Sequence, residues 1–268
     1  MIRKPVVAGQ FYPGDKTSLL KMLKGFFKNG EAVRDMKAAV VPHAGYEYSG
    51  KVAGSLYSVC SKKIETAIII GPNHTGVGSS YSIMKSGIWR TPLGDVSIDE
   101  EITAQISKNA EILEEDFEAQ RGEHSIEVQL PFLQYINPKI KIVPMVFAAH
   151  SLKNLDIIAN SIALAVKGSP KKILVIASSD LTHYEEKSVA REKDKKAIEA
   201  IVALDDELLI ENVRQYSITM CGVAPCYVIV SFASKMGCKT GKLIAYQTSA
   251  EVSGDYSAVV GYASIALY

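Results

Sequence analysis

Apolar residues in this chain gather into short unbroken runs that end abruptly in polar residues. The clearest is Thr66–Gly78, TAIIIGPNHTGVG, in which Thr66–Ile70 is continuously apolar and β-branched. That pattern predicts a strand buried on both faces of a parallel sheet. Gly71 and Pro72 stop the run, and Asn73 and His74 follow at once. The same event recurs twice. Ala38–Val41 is apolar and gives way to Pro42 and His43; Ile173–Ala177 gives way to Ser178, Ser179, Asp180 and His183. In open α/β sheets ligands bind in the crevice beyond the carboxyl ends of the strands, where these polar residues are delivered.

Between the strands the apolar period changes to that of helices. Asp15 is placed as an N-cap before Leu19, Leu20, Leu23, Phe26 and Phe27, with Gly30 as the stop. A small-residue helix is predicted over roughly Gly50–Cys60, an edge strand at Tyr81–Met84, and a strand-to-turn passage at Trp89–Gly94. Ser97 and Glu100 read as a capping box for a helix to Lys108. Gly122–Ile136, GEHSIEVQLPFLQYI, carries Ile126, Leu130 and Leu133 on one stripe and predicts an amphipathic helix kinked at Pro131. Strand Ile140–Val146, helix Leu155–Val166 and strand Ile173–Ala177 form a βαβ unit. Helices Lys187–Leu204 and Asp206–Gln215 come next, then a buried helix within Ile218–Ala233. Lys242–Thr248 and Ser257–Leu267 close the chain as an antiparallel pair. No repeat or linker interrupts the pattern. Residues 1–268 are expected to form a single α/β domain, with a mixed, mainly parallel sheet and helices on both faces.

Composition narrows the function classes. The chain of 268 residues is 47% hydrophobic, and its 30 Lys and Arg nearly balance 29 Asp and Glu. A net charge of +1 gives no electrostatic reason to bind nucleic acid or a membrane surface. The stretch ITMCGVAPCYVIVSFA falls short of the roughly 20 residues needed to span a bilayer. No apolar core of a secretory signal follows Arg3 and Lys4, so a cytoplasmic location is expected. Of the four cysteines, none forms a CxxC pair, and Cys60 and Cys226 sit in apolar runs as core thiols.

The candidates for chemistry are His43, His74, Glu123, His124, Asp180, His183 and Cys221. Imidazoles suit iron, copper, zinc or nickel, and a thiolate adds preference for zinc, copper or iron over magnesium or calcium. Any single histidine here also reads as a hydrogen-bonded loop residue; three at successive strand ends read as a site. Asp180, three residues before His183, orients that ring, acts with it as acid and base, or caps a helix. Glu123 is a site carboxylate beside His124 or a helix-start residue. Cys221 is a core thiol, or a ligand or nucleophile whose pKa a helix N-terminus lowers, with Gly222 allowing close backbone approach. His150, after an apolar strand, reads as structural.

AGQFYP, VVPHAGYEYSG, GPNH, TPLG, EHSIEVQLPFL, SSDLTHY and the Cys221-Gly222 turn together resemble the Memo family across essentially the whole chain. That resemblance implies a fold like the class III extradiol (LigB-type) dioxygenases, which are non-haem iron enzymes. It puts the metal ligands on His43, His74 and Cys221, with Asp180, His183, Glu123 and His124 lining the same cleft as acid/base residues. Iron is then the expected cofactor, copper or zinc the alternatives, and the function a metal-dependent oxidoreductase. A non-catalytic protein binding a peptide or small molecule in the same cleft is the alternative. Two residues depart from the pattern: Cys221 stands where the dioxygenases have a carboxylate, and Phe11 where animal members carry a tryptophan associated with phosphotyrosine-peptide binding.

Overall fold

The apolar runs become the central strands of the twelve among the described residues. In the computed structural model, which describes residues 1–28 and 31–268, the twelve are Ile2–Arg3 (β1), Ala38–Val41 (β2), Thr66–Pro72 (β3), Tyr81–Ile83 (β4), Ile88–Thr91 (β5) and Gly94–Ser97 (β6), then Glu114–Glu115 (β7), Lys141–Phe147 (β8), Ile173–Ser178 (β9), His183–Glu185 (β10), Gly241–Thr248 (β11) and Val259–Leu267 (β12). The helices are Lys16–Phe26 (α1), Tyr46–Ser58 (α2), Glu100–Asn109 (α3), Glu118–Arg121 (α4) and Leu130–Ile136 (α5), then Leu152–Lys167 (α6), Lys187–Ala203 (α7), Asp206–Gln215 (α8), Val223–Lys235 (α9) and Ala250–Ser253 (α10).

Among the described residues, nine strands form one sheet in the order β10-β12-β2-β9-β3-β8-β4-β7, with β11 also paired to β12. A smaller sheet has the order β1-β5-β6. The centre, β2-β9-β3-β8, is parallel throughout. Antiparallel pairs flank it, β12 against β2 on one side and β4 against β8 on the other. The sheet is therefore mixed around a parallel centre.

Each central strand is buried on both faces, so alternate residues feed two different cores. Val40, Ile68, Ile70, Val143 and Val175 join one, with α3, α6, α7, α8 and α9. Val41, Ile69, Ile142 and Ile176 join the other, with α1, α2 and α5. Helices thus cover both faces, as period-2 side-chain alternation requires when neither face is wet. Truncating a residue such as Ile70, fully buried, would cost about 2–5 kcal/mol.

Several expectations shift. Helix α2 begins at Tyr46 rather than Gly50, because Gly50 and Gly54 let its first turns press on Phe26: a Cβ on Gly50 would lie 2.5 Å from that ring. Asp99, not Ser97, caps α3, since Ser97 is committed to β6; Asp99 also accepts from Thr66 and Lys171. The kinked helix over Gly122–Ile136 does not form. Glu127–Gln129 is a single 3₁₀ turn and Pro131 sits in the first turn of α5, where a missing N–H costs nothing. Gly30, expected to stop α1, lies outside the described residues; the helix ends at Phe26, with Asp15 capping its start as expected.

Candidate functional site

The carboxyl ends of β2, β3 and β9 deliver His43, His74 and Asp180 to one place, and the loop before the 3₁₀ turn brings Glu123 and His124 across to meet them. Two glycines make that convergence sterically possible. A Cβ on Gly71 would lie 2.3 Å from Ser125 Oγ, so only glycine lets the Glu123 loop lie on β3. A Cβ on Gly222 would lie 2.3 Å from Ser179 Cβ, so the same holds where the Cys221 turn meets the end of β9.

His43, His74 and His124 each present a ring nitrogen, and the three nitrogens lie within 4.8 Å of one another. The His74 and His124 rings stack at 4.6 Å between centroids, while His43 meets them edge-on at 5.1 and 5.5 Å. His43 is buried, His124 partly so, and His74 is exposed, which leaves the cluster open to solvent on one side. Cys221 reaches it through His43, with Sγ 3.2 Å from Nε2. Cys221 is thus beside the histidine triad without being part of its mutually close set.

Glu123 organises the exposed side. Its carboxylate accepts four hydrogen bonds: Oε2 from the His74 amide at 2.6 Å, and Oε1 from His74 Nδ1 at 3.0 Å and from the His124 and Ser125 amides at 2.8 Å each. Burial alone would raise its pKa, but His74, the Ser125 amide and His124 together hold it down to about 2. Saturated with donors and ionised, Glu123 orients His74; it is not free to shuttle protons. Because a carboxylate accepts from Nδ1, His74 presents Nε2 outward. Burial, reinforced by the neighbouring His74 and His124, depresses His43 well below the usual histidine range. Burial also lowers His124, against the pull of Glu123. Phe11 lies edge-on to His124 at 5.0 Å between ring centroids.

Asp180 ties the buried side together. Its Oδ1 accepts the His43 amide at 2.8 Å, and its own amide donates to Cys221 Sγ at 3.3 Å. No helix begins here, and α7 is capped by Glu186, so the helix-cap reading of Asp180 falls away. Burial outweighs the His43 amide and raises the Asp180 carboxyl to about 6. The Cys221 thiol lies just before α9, as expected, yet its pKa is not lowered. Burial and the adjacent Asp180 carboxylate push it up, and the helix terminus does not overcome them. His183 follows on β10, its Nδ1 3.0 Å from the Thr219 carbonyl and its amide donating to the Thr219 hydroxyl at 2.8 Å. His150 is exposed in the loop after β8.

Three supporting residues were not singled out from sequence. Arg3, buried over the Trp89 ring at 4.0 Å, donates to the carbonyls of Gln120 and Glu123 and pairs with Glu127. Glu127 also accepts from the Val6 and Val7 amides and the Tyr12 hydroxyl at 2.7 Å. Gln129 bridges Tyr57, Pro42 and Ser178. The available signal was two polar residues, Glu127 and Gln129, inside the otherwise apolar IEVQLPFL.

Among the described residues, no helix is long and apolar enough to cross a membrane. The fold is similar to that of an uncharacterized protein of Escherichia coli K12, with a TM-score of 0.58 over 87% of this chain and all of that one, at 11% identity. Over 278 residues the sequence is 43% identical to a MEMO1 family protein of Methanopyrus kandleri, covering 99% of this chain and 98% of the relative. A MEMO1 family protein of Methanocaldococcus jannaschii is 41% identical over 281 residues, covering 98% of each. The profile of the family described as Memo-like protein matches residues 3–266, so the chain belongs to the Memo family.

Proposed function

We propose that this cleft holds one mononuclear transition-metal ion on His43 and His74, with Cys221 and His124 as the remaining donors. The observation that carries the reading is the convergence of three imidazole nitrogens within 4.8 Å, with a thiol against one of them. Among the described residues, His74 and His43 have their Nδ1 atoms occupied by protein partners, which turns Nε2 toward the shared space. A donor set of imidazoles and one sulfur suits iron, copper or zinc over magnesium or calcium. Iron is the first choice on the likeness to non-haem iron dioxygenases, copper and zinc the alternatives. A metal would also account for Cys221, because ligation deprotonates a thiol that burial otherwise keeps neutral.

With iron or copper bound, the ion would supply Lewis-acid and redox chemistry, and the protein would serve as a metal-dependent oxidoreductase acting on a small-molecule or peptide ligand. The chain's own residues would then do the remaining work. Glu123 holds the His74 and His124 segments in register. His183, anchored through Nδ1, has its other ring nitrogen for proton transfer. Asp180, whose carboxyl burial raises to about 6 in the metal-free protein, is the second residue placed to exchange a proton. The test is anaerobic purification with elemental analysis, followed by iron(II), copper(I) and zinc titration of wild type and of His43→Ala, His74→Ala, His124→Ala and Cys221→Ser. Removing a direct ligand should weaken binding far beyond the roughly 10–100-fold expected of an outer contact. Folded His43→Ala and His74→Ala proteins that bind all three metals like wild type would refute the reading. Oxygen uptake across a substrate panel then tests the oxidoreductase.

A further inference from the structure

His43 is the most deeply buried of the three clustered histidines, and its ring is met from behind by a hydrogen-bond chain with a definite direction. Its Nδ1 lies 3.0 Å from Ser178 Oγ. Ser178 Oγ lies 2.6 Å from the Ser125 carbonyl. A carbonyl only accepts, so the single hydroxyl proton of Ser178 points at Ser125. Gln129 Nε2 lies 2.9 Å from the Pro42 carbonyl and 2.9 Å from Ser178 Oγ. The Pro42 carbonyl fixes which end of the amide is nitrogen, so Gln129 donates to Ser178 as well. Tyr57 agrees from the far end, donating its hydroxyl to Gln129 Oε1 at 2.9 Å.

Ser178 therefore has its proton committed and one lone pair taken. The bond left to it is one that it accepts, and the only proton available at that position is on His43 Nδ1. We propose that Ser178, with its hydroxyl polarity set by the Ser125 carbonyl and the Gln129 amide, is a positioning residue that locks His43 in the Nδ1–H tautomer. The lock leaves the Nε2 lone pair facing Cys221, His74 and His124. In the metal-free protein that lone pair accepts the Cys221 thiol proton across the 3.2 Å contact. The inference rests on the metal-site reading only for its purpose; the tautomer itself is a property of the protein alone.

Which nitrogen carries the proton decides whether a histidine offers a donor atom or a blocked one. Without Ser178 the acceptor that Nδ1 meets is removed, and the proton is free to move to Nε2, where Cys221 sulfur accepts it. Each metal-binding event would then begin by moving that proton.

The experiment is two-bond ¹H–¹⁵N correlation NMR of metal-free, histidine-labelled protein at neutral pH, with zinc titration in parallel. For wild type, His43 should show a protonated Nδ1 and a bare Nε2. Ser178→Ala should lose that pattern and bind zinc about 10–100-fold more weakly, while Ser178→Thr, which keeps the hydroxyl, should retain both. A wild-type His43 protonated at Nε2 overturns the proposal whatever the zinc data say. So does a Ser178→Ala protein with an unchanged tautomer and unchanged affinity. If Ser178→Ala does not fold, the wild-type spectrum and Ser178→Thr decide. A wild-type protein with the Nδ1–H tautomer and no zinc affinity sinks the metal reading and leaves this one standing.

Discussion

Replacing Arg3 with methionine isolates the buried clamp beneath the site. Methionine keeps an unbranched apolar stem but removes the guanidinium that lies over Trp89; the Arg3 side chain is wholly buried, as is that of its partner Glu127. Four acceptors lose the guanidinium at once: Glu127 and the carbonyls of Lys4, Gln120 and Glu123. Glu127 keeps the Val6 and Val7 amides and the Tyr12 hydroxyl, so it stays hydrogen-bonded but without its counter-charge. Removing one member of a buried pair costs about 3–5 kcal/mol, because the other is left uncompensated. At roughly 2–4 °C per kcal/mol for a chain of this size, the midpoint should fall by about 6–20 °C. Urea unfolding followed by circular dichroism measures the loss directly, provided that the slope is unchanged. Arg3→Met with Glu127→Gln removes both charges, and the double variant should be more stable than the sum of the single losses by about 1 kcal/mol or more. A single-variant loss below about 1 kcal/mol, or strict additivity, would show that Arg3 is not the clamp described. The folded Arg3→Met protein should also bind zinc more weakly, since the Glu123 backbone has lost its anchor.

Three other outcomes follow from the same geometry. The Glu123 carboxyl, with an ordinary value of 4.5 held down to about 2, contributes stability that is fully present above pH 4.5 and lost as pH falls toward 2; about 3 kcal/mol is at stake. Glu123→Gln should flatten acid unfolding over that window, and an unchanged acid profile would argue against the clamp on His74. In metal-free protein near neutral pH, iodoacetamide should label Cys238, whose thiol burial raises against the pull of Lys37, before Cys221, which burial and Asp180 both push up; rapid labelling of Cys221 would show a thiolate that this packing does not support. Gly222→Ala forces a Cβ to within 2.3 Å of Ser179, so it should cost about 1–3 kcal/mol or more in denaturant and slacken metal binding, whereas a neutral effect would mean that the turn has room.

How much could be read from sequence depends on whether a signal was local. The strands ending at His43, His74 and Asp180 were legible because a buried strand announces itself within five or six residues. The Asp15 cap, the αβ alternation and the antiparallel final pair were legible for the same reason. The Gly122–Ile136 helix failed because apolar period 3.6 was present but Glu123, Glu127 and Gln129 were committed to distant partners, at His74, Arg3 and Ser178, which hold that backbone out of a regular helix. Arg3 gave no local sign at all: its meaning lies more than a hundred residues away. Glu123 and His124 were placed at the site from the motif, but the saturation that makes Glu123 a clamp appears only when four donors are counted in space. The thiol of Cys221 shows the limit most sharply, since helix position was read correctly and burial reversed its consequence.

The division of β3 between two cores bears on how the site breathes. Ile68 and Ile70 lock into one layer and Ile69 into the other, with β9 and β8 hydrogen-bonded on either edge. Neither layer can open without the other, so the amides of Ile68–Ile70 should exchange with deuterium only through global unfolding. The Glu123 loop and the Cys221 turn lie outside that unit and are held by side chains rather than by a ladder. His43 and His74 therefore sit just beyond strands expected to exchange slowly, while Glu123, His124 and Cys221 belong to segments expected to open on their own. Deuterium exchange in the Glu123 loop and the Cys221 turn should therefore outpace exchange in β3, and equal rates would show that loop and sheet open as one unit.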